Sequence, residues 1–481
     1  MADRPSRRSG SRPGAAGTGH GAAGAAPLRR GVDPLRLAAY EVLKAVRVDG
    51  AYTNLVLPSV LRQFDLHGRD AAFVTELASS TIRLQGAYDA ILATCVDRPL
   101  SKVEAKVLDA LRLGCHQLLS MRVPPHAAIS TTVDLVRAKA TSGAGGFANA
   151  VLRRVARQDL AAWLAEVAPD PRRAETRHHS IVYSHPRWVV EELAAAVRPG
   201  ELEALLAADN VPPRVTLVAR PGRAARDELP GEPTPFSPYG VVLAGGDPGD
   251  VPAVVEGRAG VQDEGSQLVA IAAAAAPLEG RDEHWLDLCA GPGGKAALLA
   301  ALAAERGARI VASERQEHRA VLVQRAVRGA DGVAAVVTAD GTAPPYRHGV
   351  FDRVLVDAPC TGLGALRRRP EARWRRRADD LLTLVLLQRR LVSSALDLVR
   401  PGGVVLYATC SPVLSETAGV VRSVLEARSD ARLEDATGLL GVPDCAGPVP
   451  GTLQLWPHRH GTDAMFIALL RKVGPAGSQL G

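Results

Sequence analysis

The stretch Trp285–Leu299, WLDLCAGPGGKAALL, decides the fold. Leu286, Leu288 and their apolar flanks predict a short buried strand. Ala290-Gly291-Pro292-Gly293-Gly294 is a tight glycine turn, and Lys295–Ala304, rich in alanine and leucine, predicts a helix. Strand, glycine turn and helix in that order form the nucleotide-binding end of a doubly wound sheet. Glycines let the backbone approach a ligand closely, and a helix N-terminus offers unpaired N–H groups. Arg309–Ser313 predicts the next strand, with Glu314 at its tip, where a carboxylate can grip a ribose diol. The turn reads GPGG and not GxGxxG, which argues against a nicotinamide dinucleotide.

Outward from this stretch, in a domain expected over 261–472, residues 282–472 alternate strand and helix, with strands expected at 285–288, 309–313, 334–338, 353–357 and 403–408. That alternation predicts an α/β domain with a doubly wound, Rossmann-like parallel sheet. Asp463–Leu470 is expected to add an antiparallel edge strand. Residues 181–260 mix Pro and Gly clusters with strands expected at Val215–Ala219 and Gly240–Ala244, which predicts a small α+β subdomain. Residues 160–180 read as a charged linker helix.

Residues 33–160 read as an all-α domain. Asp33-Pro34 supplies an N-cap and a first-turn proline. Leu35, Ala39, Val42, Leu43 and Val46 then share one helix face, and Gly50 is a stop signal. Ser101–Glu104 has the capping-box pattern before Leu108, Leu111, Cys115, Leu118 and Leu119. Further helices are expected near 70–84, 127–140 and 146–157. Residues 1–31 carry almost no large apolar groups and predict a disordered basic tail.

The net charge of +7 is concentrated in two places. Residues 1–31 hold six arginines against Asp3, and residues 367–377 hold seven against Glu371, leaving a mildly acidic remainder. Two basic spots on such a body suit a polyanionic partner. Aromatic residues are only 4%, so base stacking is not extensive. The six cysteines form no CxxC pair, so no metal is expected. With no secretory h-region and no apolar run of membrane-spanning length, the expectation is a cytoplasmic chain with reduced thiols.

Two cysteines stand where expected strands end, in Asp357-Ala358-Pro359-Cys360 and Thr409-Cys410-Ser411-Pro412. In doubly wound sheets, ligands bind at the carboxyl ends of the strands. Glu314, Asp340, Asp357, Cys360 and Cys410 should therefore converge on one crevice with Gly291–Gly294. Cys95, Cys115, Cys289 and Cys445 read as buried hydrophobes.

The helical segments DPLRLAAYEVLKAV, VPPHAAISTTVDLVR and GGFANAVLRRV resemble the NusB-like RNA-binding domain. DLCAGPGGK, Glu314, TADGT, DAPCTGLG and YATCS resemble, in order, the motifs of RNA cytosine-5 methyltransferases. Together they make residues 33–472 similar to the Sun/RsmB family, which acts on 16S ribosomal RNA. Two stretches depart from the family pattern. Asp463-Ala464-Met465-Phe466 stands where a DGFF-like run is usual, and Glu416-Thr417 where an acidic residue precedes asparagine.

The resemblance implies S-adenosylmethionine held by Cys289, Ala290, Gly291, Pro292, Gly293, Gly294, Lys295, Glu314, Arg319, Asp340 and Asp357. For Arg319 a salt bridge on the helix surface is an equal alternative. Cys410 is the implied nucleophile, adding to cytosine C6 so that C5 can take a methyl group, and Cys360 assists release. Asp357 would act near N3, either protonated or as a carboxylate accepting from the exocyclic amine; both stay open. Arg367, Arg368, Arg369 and Arg373 are expected on RNA phosphates, and Trp374 either stacks a base or anchors its loop. The 181–260 subdomain is likewise expected to bind RNA. The partner implied is 16S ribosomal RNA and the chain is expected to act as a monomer. Rival readings are the same chemistry on tRNA and a non-catalytic RNA-binding or antitermination factor.

Overall fold

The computed structural model describes residues 31–474. The basic tail expected over 1–31 lies, Gly31 apart, outside the described residues. Asp33 caps the first helix, Pro34–Val48, by accepting from Arg36 N at 2.9 Å. Six more helices follow: Thr53–Gln63, Gly68–Arg83, Gln85–Cys95, Ala105–Leu119, Pro125–Lys139 and Ser142–Val155. They close on one apolar core that includes Leu77, Tyr88, Ile91, Leu111, Leu135 and Leu152, with Cys95 and Cys115 buried in it. The capping box expected at Ser101–Glu104 does not form. Leu100–Lys102 is a single 3₁₀ turn, and Glu104 caps the next helix without a side-chain bond. Thr53–Gln63 escapes the sequence pattern because Pro58 sits inside it.

The linker helix expected over 160–180 is two helices, Leu160–Val167 and Pro171–Val182. Asp159 and Asp170 cap them in turn, and proline at the first position starts the second afresh. Helices Arg187–Ala196 and Leu202–Ala208 complete this connection. A small antiparallel sheet follows, made of β1 (Thr216–Ala219), β2 (Gly231–Pro233), β3 (Gly240–Leu243) and β4 (Ala259–Val261), in the order β2-β3-β1-β4.

The large sheet contains β5 (His284–Asp287), β6 (Arg309–Glu314), β7 (Val333–Thr338), β8 (Phe351–Asp357), β9 (Val399–Thr409), β10 (Ala431–Glu434), β11 (Leu453–Gln454) and β12 (Phe466–Lys472). Its order is β10-β12-β9-β8-β5-β6-β7, with β11 paired to β12. β5 to β9 run parallel, and β12 is antiparallel to both β9 and β10. The sheet is thus the doubly wound α/β arrangement expected. β12 is not an edge strand, however: β10 and β9 flank it. Phe466–Leu470 are all buried, so this run is apolar on both faces and needs covering on both sides.

Alternating residues of β8 and β9 feed two cores, as period-2 geometry requires. Leu355, Leu406 and Ile467 pack beneath helices Glu264–Ala275 and Gly294–Glu305. Val354, Val356, Val405, Tyr407 and Phe466 pack beneath Asp380–Leu398 and Ala418–Ala427. Among the described residues no helix is long and apolar enough to cross a membrane.

Candidate active site

The carboxyl ends of β5, β6, β8 and β9 lie side by side because the strands are parallel neighbours in register. Asp287 pairs with Ala312 and Leu355, and Asp357 with Ala408. From β5 the chain enters the glycine turn. Gly293 has φ +110°, a backbone conformation that favours glycine, and opens helix Gly294–Glu305. A Cβ on Gly291 would run into the Glu314 carboxylate, so the turn depends on the missing side chain. Glu314 accepts from Gly291 N at 3.1 Å and from Gln316 N at 2.9 Å. Arg319 donates to Gly291 O at 2.6 Å and lies 3.6 Å from Glu314, so it braces the turn through its ion pair.

Asp340, just past β7, accepts from Thr342 N and Oγ1 at 2.9 and 2.7 Å. Those two bonds, the backbone one foremost, hold its carboxyl below the ordinary range. Lys295, in the first helical turn, donates to Asp357 Oδ2 at 2.8 Å. Burial opposes the lysine's charge, but Asp357 outweighs it and raises the ammonium's pKa. Asp287, not singled out from sequence, is 1% exposed beneath this pair, with Oδ2 unpartnered. Burial first and the Asp357 charge second push its carboxyl up to about 7. A polar residue interrupting the apolar strand Trp285–Leu288 was the signal available for it. Cys289, half-buried beside Asp287, donates its N–H to that carboxylate at 3.2 Å.

Beyond Asp357 and Thr409 the two sulfurs meet: Cys360 Sγ lies 3.4 Å from Cys410 Sγ. Cys360 is buried and Cys410 half-buried. Of the two, Cys410 is the more acidic sulfur. The hydrogen bond from Cys360 lowers its pKa against the cost of burial, with Arg369 and Lys295 helping. The same bond, followed by burial, raises Cys360, which therefore keeps its proton. The arrangement is a low-pKa sulfur supported by a neighbouring S–H, which is nucleophile chemistry.

The glycine turn and three strand-end carboxylates fit an adenosyl cofactor. The orphaned Asp287 oxygen and the steric need for glycine at 291 point to a ligand lying against this rim. Glu314, Asp340 and the Gly291–Gly294 backbone are the groups that would hold it.

Much of the arginine run is tied up within the protein and is not free to meet the phosphates expected of it. Arg373 is 0% exposed and donates to Ser184 O at 3.0 Å, Asn210 Oδ1 at 2.8 Å and Asp209 O at 3.2 Å. Arg367, 7% exposed, donates to Gly461 O at 2.7 Å. Arg368 is ion-paired with Asp263 and Asp463. Trp374 donates to Ile82 O at 2.7 Å and packs with the helical core, so it anchors its loop. These side chains are structural because their loop is wedged between the helical domain, the linker helices and the C-terminal segment. Arg369 differs: its guanidinium stacks 5.3 Å from the Tyr52 ring centroid and its charge acts on Cys410. Arg375 covers the same ring at 4.7 Å and donates to Ala51 O. Tyr52, which carried no sequence signal, thus brings the helical domain to the crevice mouth.

Residues 275–471 match a family model described as 16S rRNA methyltransferase RsmB/F, and residues 33–157 match the NusB family. A putative methyltransferase of Mycobacterium tuberculosis is 50% identical over 454 residues, covering 93% of this chain and 98% of its own length. Ribosomal RNA small subunit methyltransferase B of Pseudomonas syringae pv. tomato is 33% identical, covering 91% and 97%. Among solved structures, PH0851 superposes with a TM-score of 0.75 at 24% identity, over 92% of this chain and 99% of that one. NSun6 from Pyrococcus horikoshii with SFG gives 0.51 at 19% identity, over 60% and 99%.

Proposed function

The chain belongs to the RsmB/F family of S-adenosylmethionine-dependent RNA methyltransferases, and we propose that it methylates cytosine C5 in 16S ribosomal RNA through a covalent cysteine–C6 adduct. The observation that carries this reading is the pair of sulfurs at adjacent strand ends, 3.4 Å apart, beside the Lys295–Asp357 pair. Aromatic C5 is a poor nucleophile. A sulfur added at C6 moves electron density onto C5, and no residue type supplies that attack near neutral pH as readily as a thiolate.

S-adenosylmethionine supplies an electrophilic methyl group. Cys410 attacks C6, and the charge that develops toward N3 and O2 meets the cationic side of the crevice, Lys295 and Arg369. Asp357, held by Lys295, is placed to accept from the exocyclic amine and orient the ring. After methylation the C5 proton leaves to solvent, the C5=C6 bond re-forms and Cys410 departs as a thiolate. Cys360, a thiol next to that sulfur, donates a hydrogen bond to it as it leaves.

The test is methylation of 16S RNA, small-subunit particles and bulk tRNA with labelled cofactor, followed by nucleoside mass spectrometry. The expected product is 5-methylcytidine in 16S RNA. Label confined to tRNA, or on an atom other than C5, overturns the reading.

A further inference from the structure

Glu416 stands at the centre of the two cysteine loops without touching either sulfur. It is 0% exposed. Its Oε1 accepts from Thr361 N at 2.8 Å and Gln388 Nε2 at 3.0 Å. Its Oε2 accepts from Thr361 Oγ1 at 2.5 Å and Ser411 Oγ at 2.7 Å. Thr361 directly follows Cys360 and Ser411 directly follows Cys410. Gln388 also donates to Pro359 O at 2.9 Å, on the other side of Cys360. Tyr407, on β9, donates its hydroxyl to the Glu416 carbonyl at 2.6 Å and fixes the residue's own backbone. A carboxylate has acceptor sites only, about four of them, and here four neutral donors fill them.

We propose that Glu416 is a positioning residue that clamps the Cys360 and Cys410 loops together and so fixes the sulfur–sulfur approach on which the Cys410 thiolate depends. This rests on Cys410 being the nucleophile. The two cysteines lie on different strand-end loops, joined directly by Gly364 N donating to Cys410 O at 2.9 Å and by the Thr361 and Ser411 hydroxyls at 3.1 Å, and a thiol hydrogen bond adds little to hold them in register. Charge-assisted bonds to one buried carboxylate are stronger. Truncation would leave four buried donors without that acceptor, and the loops would part to find others. Glutamine is a gentler change. Its carbonyl serves the two N–H donors, while its amide donates to hydroxyls that can turn to accept.

The experiment is alkylation of full-length protein by iodoacetamide from pH 6 to pH 10, without RNA or cofactor, read at the Cys410 peptide by mass spectrometry. Glu416→Ala should move the midpoint of the Cys410 profile up by about one pH unit, making alkylation about tenfold slower at pH 7. Cys360→Ala should give the same shift, and the double variant no further shift. Glu416→Gln should stay within about twofold of wild type. An unchanged midpoint in folded Glu416→Ala, or additive shifts in the double variant, overturns the clamp. If Glu416→Ala does not fold, Thr361→Val and Ser411→Ala must each raise the midpoint in part; wild-type midpoints in both overturn it. No methyl transfer is measured, so a wrong substrate assignment would not alter these outcomes.

Discussion

The two loops that carry the sulfurs are built in opposite ways. The loop after β9 closes on itself. Thr409 Oγ1 donates to Ser411 O, Val413 N to Ser411 Oγ, and Thr417 Oγ1 to Val413 O, all within a few residues. The loop after β8 reaches outward. Past Cys360 it meets the C-terminal segment through Arg367, the linker helices through Arg373, and the helical domain through Trp374 and Arg375. Thr53 of that domain donates to Glu371 at 2.6 Å. Cys410, the proposed nucleophile, therefore sits on a loop braced largely by its own residues, while Cys360 sits on a loop that is also tied to distant parts of the molecule.

The largest test of this contrast is one denaturing gel with target RNA and cofactor. Cys410→Ala should lose methyl transfer to background and form no protein–RNA adduct. Cys360→Ala should still attack and methylate but accumulate a slow-migrating adduct. The reverse pattern would exchange the two roles.

Next in size is Arg373→Ala. Removing this buried, multiply bonded cation leaves the carbonyls of Arg83, Ser184 and Asp209 and the Asn210 amide oxygen without their donor. The protein should lose about 3–5 kcal/mol of stability, read as a lowered urea midpoint. Burial already pushes Arg373 down to about 9 and Asp209 up to about 7, so this site has little tolerance for change. An unaltered midpoint would mean the β8 loop is not held from outside.

Lys295→Met should act on chemistry more than on fold. In the proposed mechanism Cys410 attacks as a thiolate, so methylation rises with pH through its titration. Its lowered pKa places that rise below the ordinary thiol value of 9.0. Losing the lysine should shift the rise to higher pH and slow turnover about twofold to threefold at pH 7. A pH–rate profile unmoved by the change would remove Lys295 from the thiolate's environment.

The smallest effect separates Arg369 from its buried neighbours. With two phosphates at stake, Arg369→Ala with Arg377→Ala should flatten the salt dependence of RNA binding by about 1.4 in log–log slope. Cofactor affinity should not change. A wild-type slope would leave both arginines without a phosphate.

The same loops show what a sequence can and cannot disclose. The glycine turn, Glu314, Asp340, Asp357 and both cysteines were legible because strand-then-turn patterns are local and the ends of parallel strands share one rim. The arginine run was misread because charge is local but burial is not. Seven arginines in a stretch of eleven look solvated until carbonyls from Ser184, Asp209 and Gly461 arrive from distant positions. Glu416 was visible as an acidic residue after the second cysteine, yet its four donors come from three separate segments. β12 was recognised as an antiparallel strand, but its place inside the sheet depends on β10, which carries too weak a pattern to be noticed.

That internal position of β12 also bears on the order of synthesis. A ribosome delivers β5 to β9, and with them both cysteines, before β12 has been made. Until β12 arrives, β9 presents an open edge where Thr409 through Val404 should find their partners. At usual elongation rates this interval is on the order of seconds. Any sheet that β5 to β9 form in that interval carries both cysteines beside an unpaired edge, the kind of edge through which chains aggregate. The support beneath Cys410 is complete only when one of the last strands to be translated slides in beside the one that carries it.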